Sequence, residues 1–104
     1  MTSTIIHITV SELCEREELS RPVVVQLVQH EIAQPLTGSS LEDWVFDVTN
    51  AHWMKCATRL HRDLEIDWIA VAMLIDLLRE RERLSEENSR LRQRLARFLV
   101  EEDI

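Results

Sequence analysis

Residues 9–30 read TVSELCEREELSRPVVVQLVQH, and this stretch decides the fold because it holds two helix starts close together. Thr9-Val10-Ser11-Glu12 has capping-box spacing: a threonine oxygen can meet the backbone N–H three residues on while the glutamate reaches back. A short helix over Val10–Arg16 is expected. Ser20 offers a second N-cap, and Pro22 suits a first helical turn, where its missing N–H costs nothing. Val24, Leu27 and Val28 then give a second helix an apolar face as far as about His30, although consecutive valines weaken its propensity. Two short helices parted by Glu17-Glu18-Leu19-Ser20 make a helix-turn-helix pair, which Ile32 and Pro35 close.

Downstream, Thr37-Gly38-Ser39-Ser40 is rich in turn residues, and Trp44-Val45-Phe46 suits a strand, so a small wing hairpin is predicted. Asp47 caps a third helix whose apolar stripe is Trp53, Cys56, Ala57, Leu60 and Leu64. The chain breaks at Glu65-Ile66-Asp67, and Asp67 caps a last helix from Trp68 to about Val100 without Gly or Pro. That helix is far longer than a small core needs, so it protrudes. From Leu74 the positions Leu74, Leu77, Arg81, Leu84, Asn88, Leu91, Leu95 and Phe98 alternate by three and four, which is a heptad seam with two polar interruptions. The seam predicts a homodimeric coiled coil held by Leu77, Leu84, Asn88, Leu91, Leu95 and Phe98, with Asn88 favouring a defined register. A single domain is expected, with residues 1–66 as head and third helix and 67–104 as the dimerising tail.

A chain of 104 residues has room for one modest core and no second catalytic domain. One Gly and two Pro leave little irregular structure, so helix should dominate. The start MTSTIIH has no basic flank or long apolar stretch, and no later run approaches a membrane span, so a cytoplasmic protein without membrane contact is expected. Cys14 and Cys56 lack CxxC spacing and read as reduced, packed thiols. His52 and Cys56 stand one helical turn apart, but a metal site needs three or four ligands and nothing nearby completes it. His7, His30 and His61 are scattered, no Ser or Cys has an evident base partner, and one Gly cannot make a phosphate loop. The pattern therefore argues against an enzyme and against any metal or cofactor.

Net charge is −7, and its distribution matters more than its total. Residues 1–50 carry eight acids against two bases; residues 51–104 carry eleven against ten. A helix-turn-helix protein usually lays its second helix in a major groove and holds phosphates with Lys and Arg. Here that helix contains Arg21 and no Lys, and the wing offers Leu41-Glu42-Asp43-Trp44. A head of this sign repels phosphate where a DNA reader needs attraction.

Several stretches together resemble a known family: the two short helices and their Pro, the wing ending Trp44-Val45-Phe46-Asp47, the segment Arg59-Leu60-His61-Arg62-Asp63-Leu64-Glu65-Ile66-Asp67-Trp68, and the tail Glu87-Asn88-Ser89-Arg90-Leu91-Arg92-Gln93-Arg94-Leu95-Ala96-Arg97-Phe98. The chain is similar over nearly its whole length to the CbpM chaperone modulators, a branch of the MerR-like winged-helix proteins. The resemblance implies a mainly α fold, with a MerR-like winged helix-turn-helix head and a long C-terminal coiled-coil helix. It also implies a partner, the J-domain of a DnaJ-like co-chaperone of the CbpA type, which the family holds away from Hsp70. J-domains engage Hsp70 through a basic helix and a His-Pro-Asp loop, and an acidic head complements that helix. Glu15, Glu17, Glu18, Glu42 and Asp43, with Trp44 as aromatic anchor, are the expected contact residues. The competing assignment is a MerR-like DNA-binding transcription regulator, but beyond Arg21 at its start the second helix lacks the Arg and Tyr such regulators usually carry there, and the wing lacks their Arg.

Overall fold

The computed structural model describes residues 6–102. Its head begins with β1 (Ile8–Thr9) and α1 (Val10–Arg16). Thr9 caps α1 by accepting from the Glu12 N–H at 3.2 Å. Glu12 does not reach back to the backbone; its carboxylate instead accepts from the Thr9 hydroxyl at 3.2 Å, so the box closes side chain to side chain. Only Val10 and Leu13 of α1 are buried, one turn apart on a single face. The chain then passes through Glu18 in the left-handed region (φ 57°) to Ser20, which caps α2 (Arg21–Gln29) by accepting from Val23 N–H at 3.3 Å. Val24 and Leu27 seat α2 on the core. Beyond it, Glu31 (φ 59°) turns the chain so that Ile32 and Ala33 bury while both their amides bond the Leu27 carbonyl.

The wing departs from a free hairpin. β2 (Val45–Phe46) does meet the turn segment, since Leu36 N–H donates to Val45 O at 2.7 Å and Val45 N–H to Thr37 O at 3.3 Å. Its named partner, however, is β1, antiparallel, with Ile8 opposite Phe46 and Thr9 opposite Val45. Two-residue strands are too short to show alternation, which is why β1 carries no sequence signal. Gly38 adopts φ +107° inside the turn, and a Cβ there would lie 2.5 Å from the Asp43 carbonyl oxygen, so only glycine fits.

Asp47 caps α3 (Val48–Leu64), accepting from Asn50 N–H at 2.7 Å. Asn50 in turn accepts from Gln34 N–H at 3.0 Å, tying the segment after α2 to α3. Trp53 and Ala57 bury as the stripe predicts, and Met54 and Ala51 join them, whereas Leu64 at the far end stays exposed. The elbow after α3 is rigidly built: Glu65 takes φ 52°, His61 Nδ1 donates to Ile66 O at 2.7 Å, and the His61 ring stacks on Trp68 at 4.0 Å. Asp67 then accepts from Ala70 N–H at 2.8 Å and starts α4 (Trp68–Glu102), whose 35 residues span about 52 Å.

One core joins Leu13, Leu27, Ile32, Phe46, Met54, Val71 and Ile75, all essentially inaccessible to water. The first turns of α4 are therefore part of the head, and packing crosses the residue-67 elbow to reach Leu78. From Glu80 to Val100 every α4 side chain is exposed, and the molecule extends to 60 × 38 × 22 Å.

Candidate partner-binding surfaces

The acids of the head fall into two groups. In the first, Glu42, on a single 3-10 turn (Leu41–Asp43), accepts from Arg21 Nε at 2.8 Å. That hydrogen bond, then the Glu42 charge, with a smaller contribution from Glu15, raises the Arg21 pKa above its ordinary value. Beside it, the Asp43 carboxylate accepts from Ser40 Oγ at 2.9 Å, which stiffens the turn. In the second group Glu17 lies 3.5 Å from Lys55 Nζ, and Glu17 and Glu18 line a groove of about 180 Å³ opposite Arg59 and Arg62. Glu15 and Glu18 are exposed. Trp44 is half-buried and set edge-on to Phe46 at 6.4 Å, so it belongs partly to the core rim. Of the six contact candidates, Glu42, Asp43 and Trp44 lie on or beside the 3-10 turn, Glu15 lies near Arg21, and Glu17 and Glu18 line the groove with Lys55, Arg59 and Arg62.

On α2, Arg21, Pro22 and Gln29 are exposed, Val25 and Gln26 half-buried, and Gln26 Nε2 donates to Gln29 Oε1 at 3.5 Å. The only Lys or Arg on α2 is Arg21, which pairs with Glu42 at 2.8 Å while both side chains stay largely exposed.

The tail bares the predicted seam. Leu77, Leu84, Leu91, Leu95 and Phe98 are between 51% and 67% exposed, and Asn88 is exposed among them. Leu74 is half-buried, whereas Ile69 and Met73, 63% and 65% exposed, continue the apolar face toward the head. The heptad alternation from Leu74 hid these two, although the spacing Ile69-Met73-Leu77 is itself helical. Further out, Arg83 bonds both Glu80 (2.6 Å) and Glu87 (3.2 Å), which raises the Arg83 pKa and lowers that of Glu80. Arg79, also unremarked in sequence, donates to the Ile32 carbonyl and lies over the Trp53 ring at 5.5 Å.

A groove of about 400 Å³ where α4 leaves α3 is lined by Trp53, Cys56, Leu78, Arg81, Glu82 and Ser85. Cys56 Sγ stands 3.7 Å from His52 Nε2. Among the described residues no group of three or more His, Cys, Asp or Glu side chains is placed to hold a metal ion, and no helix is long and apolar enough to cross a membrane.

Comparison with known proteins agrees with this architecture. The family model described as MerR HTH family regulatory protein matches residues 8–93. The chaperone modulatory protein CbpM of Pseudomonas entomophila strain L48 is 40% identical over 99 residues, covering 94% of this chain and 97% of its own. CbpM of Pseudomonas putida strain KT2440 is 39% identical over 100 residues, covering 95% and 98%. CbpM of Citrobacter koseri is 32% identical over 99 residues, covering 95% and 97%.

Proposed function

Because this chain belongs to the MerR-type helix-turn-helix family and, within it, to the CbpM chaperone modulators, we propose that it binds the J-domain of a DnaJ-like, CbpA-type co-chaperone and inhibits its stimulation of Hsp70. A chaperone-modulating role comes with the family; the J-domain as target is our reading. The observation that carries it is the Arg21–Glu42 pair: a scaffold suited to DNA has its one reading-helix cation bound by a wing carboxylate, on a head rich in acids. Such a surface repels phosphate and attracts a basic protein helix. No chemistry is required of it, since covering the J-domain's basic helix or His-Pro-Asp loop is enough to keep Hsp70 away. The protein acts in the cytoplasm, where that cycle runs.

The active form is a homodimer through Leu77, Leu84, Asn88, Leu91, Leu95 and Phe98, because an isolated chain would leave this whole apolar face in water. Its tails run antiparallel. Ile69, Met73, Leu77, Leu84, Leu91, Leu95 and Leu99 are spaced symmetrically about Leu84, so a second copy laid head to tail meets Leu77 with Leu91 and Met73 with Leu95. Charge agrees: residues 88–100 hold Arg90, Arg92, Arg94 and Arg97 and no acid, and a parallel pair would crowd both sets together.

A steady-state ATPase titration tests the function. With a J-protein and Hsp70 present, this protein should suppress J-stimulated hydrolysis and leave Hsp70's basal rate unchanged, and added Hsp70 should restore stimulation by mass action. Undiminished stimulation in the presence of saturating protein would refute the proposal. Specific binding of a DNA fragment at about 0.15 M salt, with no effect on ATPase, would favour the alternative of a DNA-binding transcription regulator on the same helix-turn-helix scaffold.

A further inference from the structure

We infer that the groove where α4 leaves α3 is a contact between copies of this chain, occupied by the tail of a second copy whose Arg92 meets Glu82 there. This rests on the antiparallel homodimer proposed above, and it adds to the leucine seam a contact between one copy's tail and the other's head.

The groove holds about 400 Å³ and is lined by Trp53 and Cys56 from α3 and by Leu78, Arg81, Glu82 and Glu86 from α4. It opens beside the seam, because Leu78 directly follows Leu77, and Arg81 lies one turn on, between Leu77 and Leu84. A helix seated on Leu77 and Leu84 therefore runs along its edge. Glu82 and Glu86 are both exposed and stand one turn apart, where like charges repel. Among the described residues neither forms an ion pair, although their neighbours Glu80 and Glu87 both hold Arg83. Arg81 lines the same groove and pairs with neither. The rim is thus acidic and has room for a cation from elsewhere.

Arg92 is the matching half. It is exposed, it pairs with no carboxylate among the described residues, and its neighbours one turn away are Asn88, Ser89, Leu95 and Ala96, none of them charged. Leu78, Ser85 and Arg92 follow Leu77, Leu84 and Leu91 at the same seven-residue spacing, so they share one flank of the seam. The two-fold axis relating antiparallel helices keeps like flanks on one side, which brings the second copy's Arg92 to the flank bearing the groove. With Leu77 set opposite Leu91, that arginine falls level with residue 76, about 9 Å from Glu82 along the axis. Helical side chains lean toward their own N-terminus, so in opposed helices these two lean toward each other, and the length of the arginine spans the rest. Its methylenes then lie over Leu78. A parallel partner would carry Arg92 about 15 Å beyond Glu82, out of reach.

The test uses the full-length protein with Cys14→Ser, so that Cys56, half-buried in the groove, is the one thiol, and it reads the rate of maleimide alkylation. Labelling of the dimer should run at least about tenfold slower than that of the Leu91→Asp monomer, and dilution below the dimer dissociation constant should abolish the protection. Arg92→Glu should weaken dimerisation about fivefold and speed labelling, and adding Glu82→Arg in the same chain should restore both. Equal labelling of dimer and monomer would overturn the groove contact and leave the seam standing. A charge swap that restores nothing would overturn the pairing of Arg92 with Glu82. Leu91→Asp that still scatters light as a dimer would overturn the seam, and this contact with it.

Discussion

Arg79 shows how much a single side chain can hold together in a small head. Its guanidinium donates to the Ile32 carbonyl just after α2, lies over the Trp53 ring of α3, and is carried by α4, so three segments meet at one cation. In sequence it is one arginine among several in a charged helix, and nothing distinguishes it from Arg81 or Arg83 until the chain folds back on itself. Arg79→Ala should destabilise the head by about 2 kcal/mol, because a half-buried carbonyl loses its donor and the indole its cation. Lysine should restore only part of this, lacking the planar fork that donates and stacks together. Denaturant unfolding monitored by tryptophan fluorescence measures the difference; a shift no larger than that of Arg81→Ala would remove the clamp. Trp44 carries the opposite lesson. As a tryptophan in an exposed-looking wing it reads as an anchor, but its proximity to Phe46 commits part of its surface to the core.

At the scale of the element, α4 performs two tasks on opposite faces. Val71 and Ile75 are buried in the head, while Ile69, Met73 and Leu77 look away from it into water. The three-four spacing of leucines along the tail was legible because it persists for several turns, and the exposure of Ile69 and Met73 was not, because periodicity cannot tell which apolar face of a two-sided helix meets its own head. If the exposed face is the dimer seam, Leu91→Asp should yield monomers by light scattering, since the charge enters an apolar contact at a cost of at least about 2 kcal/mol. Persistence of the dimer would refute the seam. Orientation has its own measurement, in a background with Cys14 and Cys56 changed to Ser. Leu84→Cys should cross-link to its copy under oxidation, whereas Leu95→Cys should not, because an antiparallel partner offers Met73 there. Rapid cross-linking through residue 95 would mean parallel tails.

For the whole molecule the governing quantity is the separation of charge, with most of the net negative charge in residues 1–50, where bases are few, and an arginine-rich segment near the end of the tail. Exposed charges act at long range and are screened by salt, so association with a J-domain should slow as ionic strength rises, while the dissociation rate changes less. Stopped-flow association rates from about 0.05 to 0.5 M salt should fall steadily; rates that do not move would remove steering from the account. Charge reversal of Glu42 and Asp43 to Lys should slow association further, and it also frees Arg21.

By itself the sequence determined the helices, their caps and the protruding tail. Each of these is local: Thr9, Ser20, Asp47 and Asp67 satisfy N–H groups three residues away, and a helical stripe repeats within one turn. The uneven charge was likewise visible, since counting acids requires no geometry. Only the tertiary structure decided that β2 pairs with β1, that Arg79 reaches Ile32, that Glu42 pairs with Arg21, and that Ile69 and Met73 stay in water while Val71 and Ile75 do not. All of these join or divide residues according to where distant segments come to lie, and the closing of one core around Phe46, Met54 and Ile75 sets that placement, which no local spacing encodes.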